Sequence, residues 1–470
     1  MAGHKESKYN WGQAACLTRT EAYMGKYFGT DGIRGRVNDG LDGEQAFVLG
    51  MAAAAVLAEE SDRSKPLLLI GKDTRISGSM LEAALAAGFA SSGCDVLLLG
   101  VIPTPGVAAL TRLLDADASA VISASHNPYH DNGIKFFNNL GYKLPDGVEE
   151  RIEALIDAPE RIVRAMDGNI GVIRSYPEAA KQYQEWAVKQ LSPDLTGLRI
   201  VVDAANGATS AVASAVFRAL GAEVRSISDQ PDGCNINNGC GSTHMGQLQH
   251  QVVAEGADLG LAFDGDADRM LAVDETGQVV DGDQIIAMIA AWLRDRDELD
   301  TNSVVITQMS NMGLRLAMER LGVAVEETKV GDRYVLERML QTGAVVGGEQ
   351  SGHIILSKYN STGDGLIAAL QLLTIVVDRR QPLSQLAQVM QRLPQVLVNV
   401  RVQDKSGIDR DPDILAARKR VEEQLQGKGR LLLRPSGTES LIRVMAEGDD
   451  ERKVRQLVEN LAALIGERLG

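Results

Sequence analysis

Ser125 lies in the run Ser123–Pro128 (SASHNP), where a hydroxyl directly precedes an imidazole and an amide, His126 and Asn127, and the run closes in an Asn-Pro turn. A serine hydroxyl is a weak nucleophile at neutral pH and needs a base or a metal, whereas a phosphoserine is a stored phosphoryl group that leaves once its charge is neutralised. The second chemistry suits this run better. No carboxylate stands beside it to orient the histidine, and the G-x-S-x-G elbow of serine hydrolases is missing. Ser123 is the rival hydroxyl. The plain alternative is a strand ending in a turn whose Ser and Asn only cap the backbone.

Asp264, Asp266 and Asp268 in DGDADR are spaced two apart, which in an extended segment puts three side chains on one side. Converging carboxylates need a cation, and oxygen donors without His or Cys favour magnesium over zinc, with a phosphate oxygen completing the shell. An EF-hand loop competes, because Glu275 falls at its twelfth position. Against it, Arg269 occupies the sixth place where a glycine is needed, and the flanks LGLAF and MLAV read as strands. Arg269 is placed to offset charge on a transferring phosphoryl group. In RPSGTES (Arg434–Ser440), Ser436, Gly437 and Thr438 can offer N–H groups and hydroxyls to a phosphate, and Arg434 and Arg443 can add planar forks. A hairpin turn that uses Ser-Gly for geometry is the alternative there. In GEQSGH (Gly348–His353), Glu349 and Ser351 suit sugar hydroxyls and His353 a polar contact or proton relay, although a glycine-rich loop with a solvated Glu is equally ordinary.

The elements that must position these loops alternate. Short apolar runs at Pro66–Gly71, Asp95–Gly100 and Ala118–Ser123 are separated by helical periodicity at Gly43–Glu60, Ser79–Ser92 and Gly106–Leu114. The pattern recurs with strands at Arg199–Asp203 and Leu259–Phe263 and helices at Ala208–Leu220 and Gln247–Ala254. A third pass has helices at Gln284–Arg294, Gly313–Arg320 and Leu366–Val377, a strand at Ser303–Thr307, and Gly343–Gly347 leading into GEQSGH. The last segment differs: strands at Val396–Val402, Arg430–Arg434 and Leu441–Met445 and helices at Ile414–Leu425 and Glu451–Leu464 follow a linker near Gln381–Leu393. The expected class is α/β, with three mixed α/β domains (residues 24–180, 181–280 and 281–393) and a C-terminal α+β domain (394–470). Residues 1–23 are expected to be an extension or disordered.

At 470 residues the chain exceeds what one core supports, and about three or four domains are expected. Lys and Arg number 48 against 63 Asp and Glu, a formal net charge of −15 that disfavours nucleic acid and anionic membranes as partners. An anionic substrate therefore needs local basic loops. No apolar run is long enough to span a bilayer and the N-terminal residues contain no secretory h-region, so a cytoplasmic location is expected. Four cysteines are too few and too scattered for a disulfide framework, and Cys234, Cys240 and His244 lack the close pair and fourth ligand of a zinc site.

The ordered set FGTDGIRG (Phe28–Gly35), GKDTRISG (Gly71–Gly78), IPTP (Ile102–Pro105), SASHNP, DGDADR, GEQSGH and RPSGTES resembles the α-D-phosphohexomutase family from Met24 onward. NINNGCGSTH (Asn235–His244) and Gln350 are similar to its glucosamine-phosphate branch. The resemblance implies four domains around a central cleft and an isomerase that interconverts glucosamine 6-phosphate and glucosamine 1-phosphate, towards UDP-N-acetylglucosamine and cell-wall precursors. It implies activating phosphorylation of Ser125 and one Mg²⁺ held by Ser125, Asp264, Asp266 and Asp268. Arg34, His126, Lys135 and Arg269 would line the reaction centre. Glu349, Ser351 and His353 would contact the sugar, and Arg434, Ser436, Gly437, Thr438 and Arg443 the phosphate that is not transferred. A homodimer is considered, and motion of the C-terminal domain about a hinge near Leu393 is expected. In one place the chain departs from the glucose and mannose members: TQMSNMG (Thr307–Gly313) has no basic residue where they often carry a lysine. His126, Lys135 and His353 therefore remain candidates for the acid and base. A phosphomannomutase or phosphoglucomutase with the same mechanism, and a non-catalytic sugar-phosphate sensor, are the competing readings.

Overall fold

The computed structural model describes residues 25–29, 31–425, 427–435 and 440–470. Residues 1–23 and Ser436, Gly437 and Thr438 lie outside them. The chain groups into two compact units, one of residues up to Gln308 with Val323–Gln388 and one of Met309–Gly322 with Val389–Gly470.

Three sheets build the first unit. The first contains β1 (Ile33–Arg36), β2 (Leu67–Lys72), β3 (Asp95–Val101), β4 (Ala118–Ile122), β5 (Asp131–Asn138) and β6 (Ile173–Ser175) in the order β1-β5-β4-β2-β3-β6. The second contains β7 (Arg199–Asp203), β8 (Glu223–Ile227), β9 (Leu259–Phe263), β10 (Met270–Asp274) and β11 (Val279–Val280) in the order β11-β10-β9-β7-β8. The third contains β12 (Ser303–Thr307), β13 (Ala324–Thr328), β14 (Val346–Gly348) and β15 (Ile354–Leu356) in the order β13-β12-β14-β15. Each sheet has parallel central strands and ends one of them in a loop that returns antiparallel: β4 to β5, β9 to β10, and β14 to β15. SASHNP, DGDADR and GEQSGH are those three loops, so the same local topology presents each motif at the carboxyl end of a buried strand.

The central strands are legible because they are buried on both faces: β4, β9, β10 and β12 have every residue buried. Helix starts follow their caps. Asp42 and Asp281 each form a capping box, with Gln45 and Gln284, at the head of helices Gly43–Leu57 and Gly282–Arg294. Two expectations need correction. The helix expected over Ala208–Leu220 runs only from Ala213 to Ala219, because the Ala208 N–H is used by the Gly265 carbonyl at 2.8 Å and Ala205 and Asn206 take left-handed backbone conformations. The linker expected at Gln381–Leu393 contains a helical turn, Leu383–Leu386, continued by a 3₁₀ turn at Ala387–Val389.

The second unit is an antiparallel sheet of β16 (Gln395–Arg401), β17 (Gly429–Pro435) and β18 (Leu441–Gly448) in the order β16-β18-β17. Helices Pro412–Leu425 and Glu451–Leu469 share its core through Ile414, Val421, Val458 and Ile465. Helix Met312–Leu321 also belongs here, although the chain enters it from β12. Asn311 caps it at the Gly313 N–H and bonds both the N–H and the carbonyl of Leu393 at 3.0 Å. The fully buried Glu447 accepts from the Met312 N–H at 2.7 Å, from Gln395 at 3.1 Å and from Arg430 Nε at 3.2 Å. Glu447→Ala would strand Arg430 and the helix start together, and a loss of about 3–5 kcal/mol is expected. The check is the denaturation midpoint of the unit; a midpoint equal to that of the parent would contradict it.

Candidate active site

The serine loop is held by its backbone. Ser123 Oγ donates to Asp73 Oδ2 at 2.6 Å and accepts from the Ser125 N–H at 2.9 Å, so the rival hydroxyl is consumed in shaping the loop. Arg75, whose side chain is fully buried and ion-paired to Asp73 at 2.9 Å, donates to the carbonyls of Ser125 (3.0 Å), Asn127 (2.9 Å), Asp131 (3.0 Å) and Pro128. Asn237 Nδ2 reaches the carbonyls of Ser125 and Asn127 at 2.9 and 3.1 Å. Clamped in this way, Ser125 takes the left-handed φ of 51°, uncommon for a non-glycine residue. Its Oγ then points at Asp264 Oδ2, 2.6 Å away. Arg75 and Asn237 lie in two of the motifs above, but sequence reasoning assigned them no role.

The three aspartates converge, though not by strand alternation. The segment is a turn, with Ala267 at φ 62° and its N–H bonded to the Asp264 carbonyl at 3.2 Å. A turn is required because Gly265 lies against the serine loop: a Cβ there would come within 2.6 Å of the Ser125 carbonyl oxygen. One carboxylate oxygen from each aspartate lies within 4.8 Å of the others, and all three residues are buried. Asp266 Oδ2 is satisfied by Thr104 Oγ1 at 2.7 Å and Lys135 Nζ at 3.0 Å, and Asp264 by Ser125 and the Arg269 N–H. Asp266 Oδ1 and Asp268 Oδ1, both buried, have no hydrogen-bond partner. A set of oxygen donors with such orphaned atoms fits a hard divalent cation. Glu275, the EF-hand candidate, instead accepts from the N–H (3.2 Å) and hydroxyl of Ser384.

Electrostatics separates the three acid–base candidates. Burial, then Arg269 and Arg34, push His126 down to about 4, so the imidazole 3.3 Å from Ser125 Oγ is neutral at physiological pH. Lys135 is opposed by burial, but Asp266, Asp31 and Asp268 more than offset it and hold the ammonium charged. Burial also opposes charge on His353, and Asp268 and Asp332 outweigh it, leaving the imidazole above its ordinary value. Two groups pushed in opposite directions in one site are the pattern expected of an acid–base pair. Burial is the largest influence on Asp264 and, with Asp268 and Asp266 beside it, holds that carboxyl well above the usual range. Asp268 resists the same burial through Lys135, His353 and Arg269 and sits well below it. Arg269 Nε lies 3.8 Å from Asp268 Oδ1, and Arg34 is paired with Asp31.

In the third loop, Glu349 accepts from the Gly331 N–H at 3.0 Å, and the Ser351 hydroxyl oxygen is buried without a partner. Gly352 (φ 91°) donates to the Glu349 carbonyl and accepts from the Met270 N–H at 3.1 Å, which joins this loop to the strand that follows the aspartates. Gln350 does not face the site; its amide donates to Asp281 Oδ2 at 3.1 Å. A segment that sequence reasoning passed over, Asn360–Gly365, forms the floor: a Cβ on Gly363 would meet the His353 ring at 2.4 Å, and the Gly365 N–H bonds the Ala267 carbonyl at 3.0 Å. In the second unit, Arg434 and Arg443 are direct cross-strand partners on β17 and β18. Like charges so paired repel, and a bound anion relieves them.

Residues 25–162, 174–277 and 281–393 match the alpha/beta/alpha domains I, II and III of phosphoglucomutase/phosphomannomutase, and residues 397–464 match its C-terminal domain. The phosphoglucosamine mutase of Desulforamulus reducens is 54% identical over 444 residues, covering 94% of this chain and 100% of that protein. The phosphoglucosamine mutase of Moorella thermoacetica is 54% identical over 439 residues, or 93% and 98% of the two chains. Among solved structures, a phosphoglucomutase/phosphomannomutase family protein of Burkholderia thailandensis is similar with a TM-score of 0.78 at 24% identity, covering 93% of this chain and 97% of that one. The N-acetylphosphoglucosamine mutase of Aspergillus fumigatus, solved with GlcNAc-6P and magnesium, is similar with a TM-score of 0.64 at 16% identity, over 97% and 98% of the chains.

Proposed function

The chain belongs to the phosphoglucomutase/phosphomannomutase family, and from that premise we propose that it is a phosphoglucosamine mutase interconverting glucosamine 6-phosphate and glucosamine 1-phosphate. The observation that carries this reading is the 54% identity to a phosphoglucosamine mutase across 94% of the chain. A buried serine hydroxyl 2.6 Å from a buried aspartate cluster supports it.

Ser125, once phosphorylated, passes its phosphoryl group to a sugar phosphate: the serine O–P bond breaks and a sugar O–P bond forms. The bisphosphorylated sugar turns, and its other phosphate returns to Ser125. One Mg²⁺, held by Asp264, Asp266, Asp268 and an oxygen of Ser125 or its phosphate, would neutralise charge on the transferring group. Arg34, Lys135 and Arg269 offset what remains. His126, neutral, can accept a proton beside the serine, and His353 can donate one. Glu349 and Ser351 grip sugar hydroxyls, while Arg434, Ser436, Gly437, Thr438 and Arg443 hold the phosphate that is not transferred. Water must be excluded, since hydrolysis of the phosphoserine would make the site a phosphatase. Domain limits of 24–180, 181–280, 281–393 and 394–470 and a cytoplasmic location belong to the same reading. Among the described residues no helix is long and apolar enough to cross a membrane.

The second reading, a phosphoglucomutase or phosphomannomutase with the same serine, is favoured by the description of the matching family. Turnover on glucosamine, glucose and mannose 6-phosphates separates the two. A kcat/KM for the amino sugar about tenfold or more above the others is expected. Equal or faster turnover of glucose or mannose phosphate would assign the chain to the second reading.

A further inference from the structure

His353 has a carboxylate at each ring nitrogen. Asp268 Oδ2 lies 3.6 Å from Nδ1, and Asp332 Oδ2 lies 3.6 Å from Nε2, a buried nitrogen with no hydrogen-bond partner for which Asp332 is the nearby carboxylate at ion-pair distance. These belong to a closed circuit in which acidic and basic side chains alternate. Asp332 pairs with Lys143, Lys143 with Asp31 at 2.5 Å, Asp31 with Lys135 at 3.1 Å, and Lys135 with Asp268 at 3.7 Å. The circuit draws on FGTDGIRG, on β5 and the turn after it, on the aspartate loop, on the head of helix Asp332–Thr342, and on the sugar loop.

Stability alone gives little reason for such a circuit. Replacing buried ion pairs by apolar groups of like volume is often neutral or stabilising. Position gives a better one. Two of its six members, Lys135 and His353, are groups that the mutase reading places in the site, and Asp268 belongs to the aspartate loop; Lys143 and Asp332 touch neither the serine nor the orphaned aspartate oxygens. The His353 ring is packed against Gly363, where even a Cβ would come 2.4 Å from Nε2.

We propose that Asp332, itself fixed by Lys143, is a positioning residue for phosphoryl transfer: it holds the His353 imidazole in register with Asp268. This rests on the mutase reading of the same site. By analogy with the outer partners of metal-ligating histidines, whose loss typically costs about 10–100-fold, a loss of similar size is expected here.

The test uses the full chain, with turnover of glucosamine 6-phosphate by the parent protein as the control for the mutase reading itself. Asp332→Asn and Lys143→Met are expected to lower kcat by about 10–100-fold with KM changed less than about threefold. Lys143→Arg, which keeps the charge, should retain most of the activity. In a His353→Gln background, Asp332→Asn should cost nothing further, because its effect passes through the imidazole. With six histidines in the chain, the ring nitrogens of His353 can be followed by NMR in the metal-free protein, assigned by His353→Gln. Their signals should shift in Asp332→Asn and stay unmoved in Glu447→Gln. The proposal is overturned if Asp332→Asn keeps kcat within twofold of the parent, if its loss multiplies independently with that of His353→Gln, or if the His353 signals do not move. A parent that turns over no sugar phosphate would overturn the mutase reading instead.

Discussion

Ser125→Ala is expected to abolish mutase turnover, by about four orders of magnitude or more, while leaving the fold intact. The size follows from the role: with no hydroxyl there is no acceptor for the phosphoryl group between the two half-reactions, and no neighbouring group replaces it. Ser123 cannot, because its hydroxyl is already committed to Asp73 and to the Ser125 N–H. The fold should survive because the clamp on the loop acts on carbonyls, through Arg75 and Asn237, and alanine keeps them. The methyl group removes only the contacts of Oγ with Asp264 and His126. Measured kcat with either glucosamine phosphate, alongside a thermal melt, checks both halves of the expectation. A variant that melts like the parent and still turns over at an appreciable rate would contradict the account.

Asp266→Asn is expected to lower kcat by about a thousandfold, corresponding to roughly 4 kcal/mol of lost charge stabilisation. Asp266 is the central carboxylate, fully buried, with one oxygen bridging Thr104 and Lys135 and the other lacking a partner. Asparagine preserves the shape and the bond to Thr104. It removes the negative charge that a cation and Lys135 share, and directs an amide at one of them. Affinity for Mg²⁺, titrated directly, should fall with the activity. The parent enzyme, stripped by exhaustive chelation, should lose turnover and regain it on adding Mg²⁺. Unchanged activity after chelation, or a variant within tenfold of the parent, would remove the metal from the account.

Central strands were legible because burial on both faces leaves their middles apolar: Arg199–Asp203, Leu259–Phe263 and Ser303–Thr307 begin and end where periodicity places them. Edge strands were not. β8 (EVRSI) and β13 (AVEET) are amphipathic and charged, and their sequences do not separate them from loops. Helix Asp332–Thr342 escaped for a related reason, since it buries only Val335 and Met339 and otherwise reads as polar surface. In the site, the reactive groups announced themselves by density, three carboxylates in five residues or a hydroxyl beside an imidazole. Their supports did not. An arginine in a loop is solvated by default, and nothing local says that the Arg75 guanidinium will be buried across four carbonyls, or that Lys143 will meet Asp332 from 189 residues away. The aspartate spacing suggested an extended segment because period two is what strands use; the turn was imposed by the serine loop pressing on Gly265, a contact visible only in three dimensions.

The central claim is that Ser125 carries the phosphoryl group. Its most direct test is phosphosite mapping of the enzyme after equilibration with glucosamine 1,6-bisphosphate, read by intact mass and by peptide sequencing. One phosphoryl group is predicted, located on Ser125, and passed to glucosamine 6-phosphate or glucosamine 1-phosphate when either is added. A fully active enzyme that carries its phosphate on another residue, or carries none, would contradict the claim.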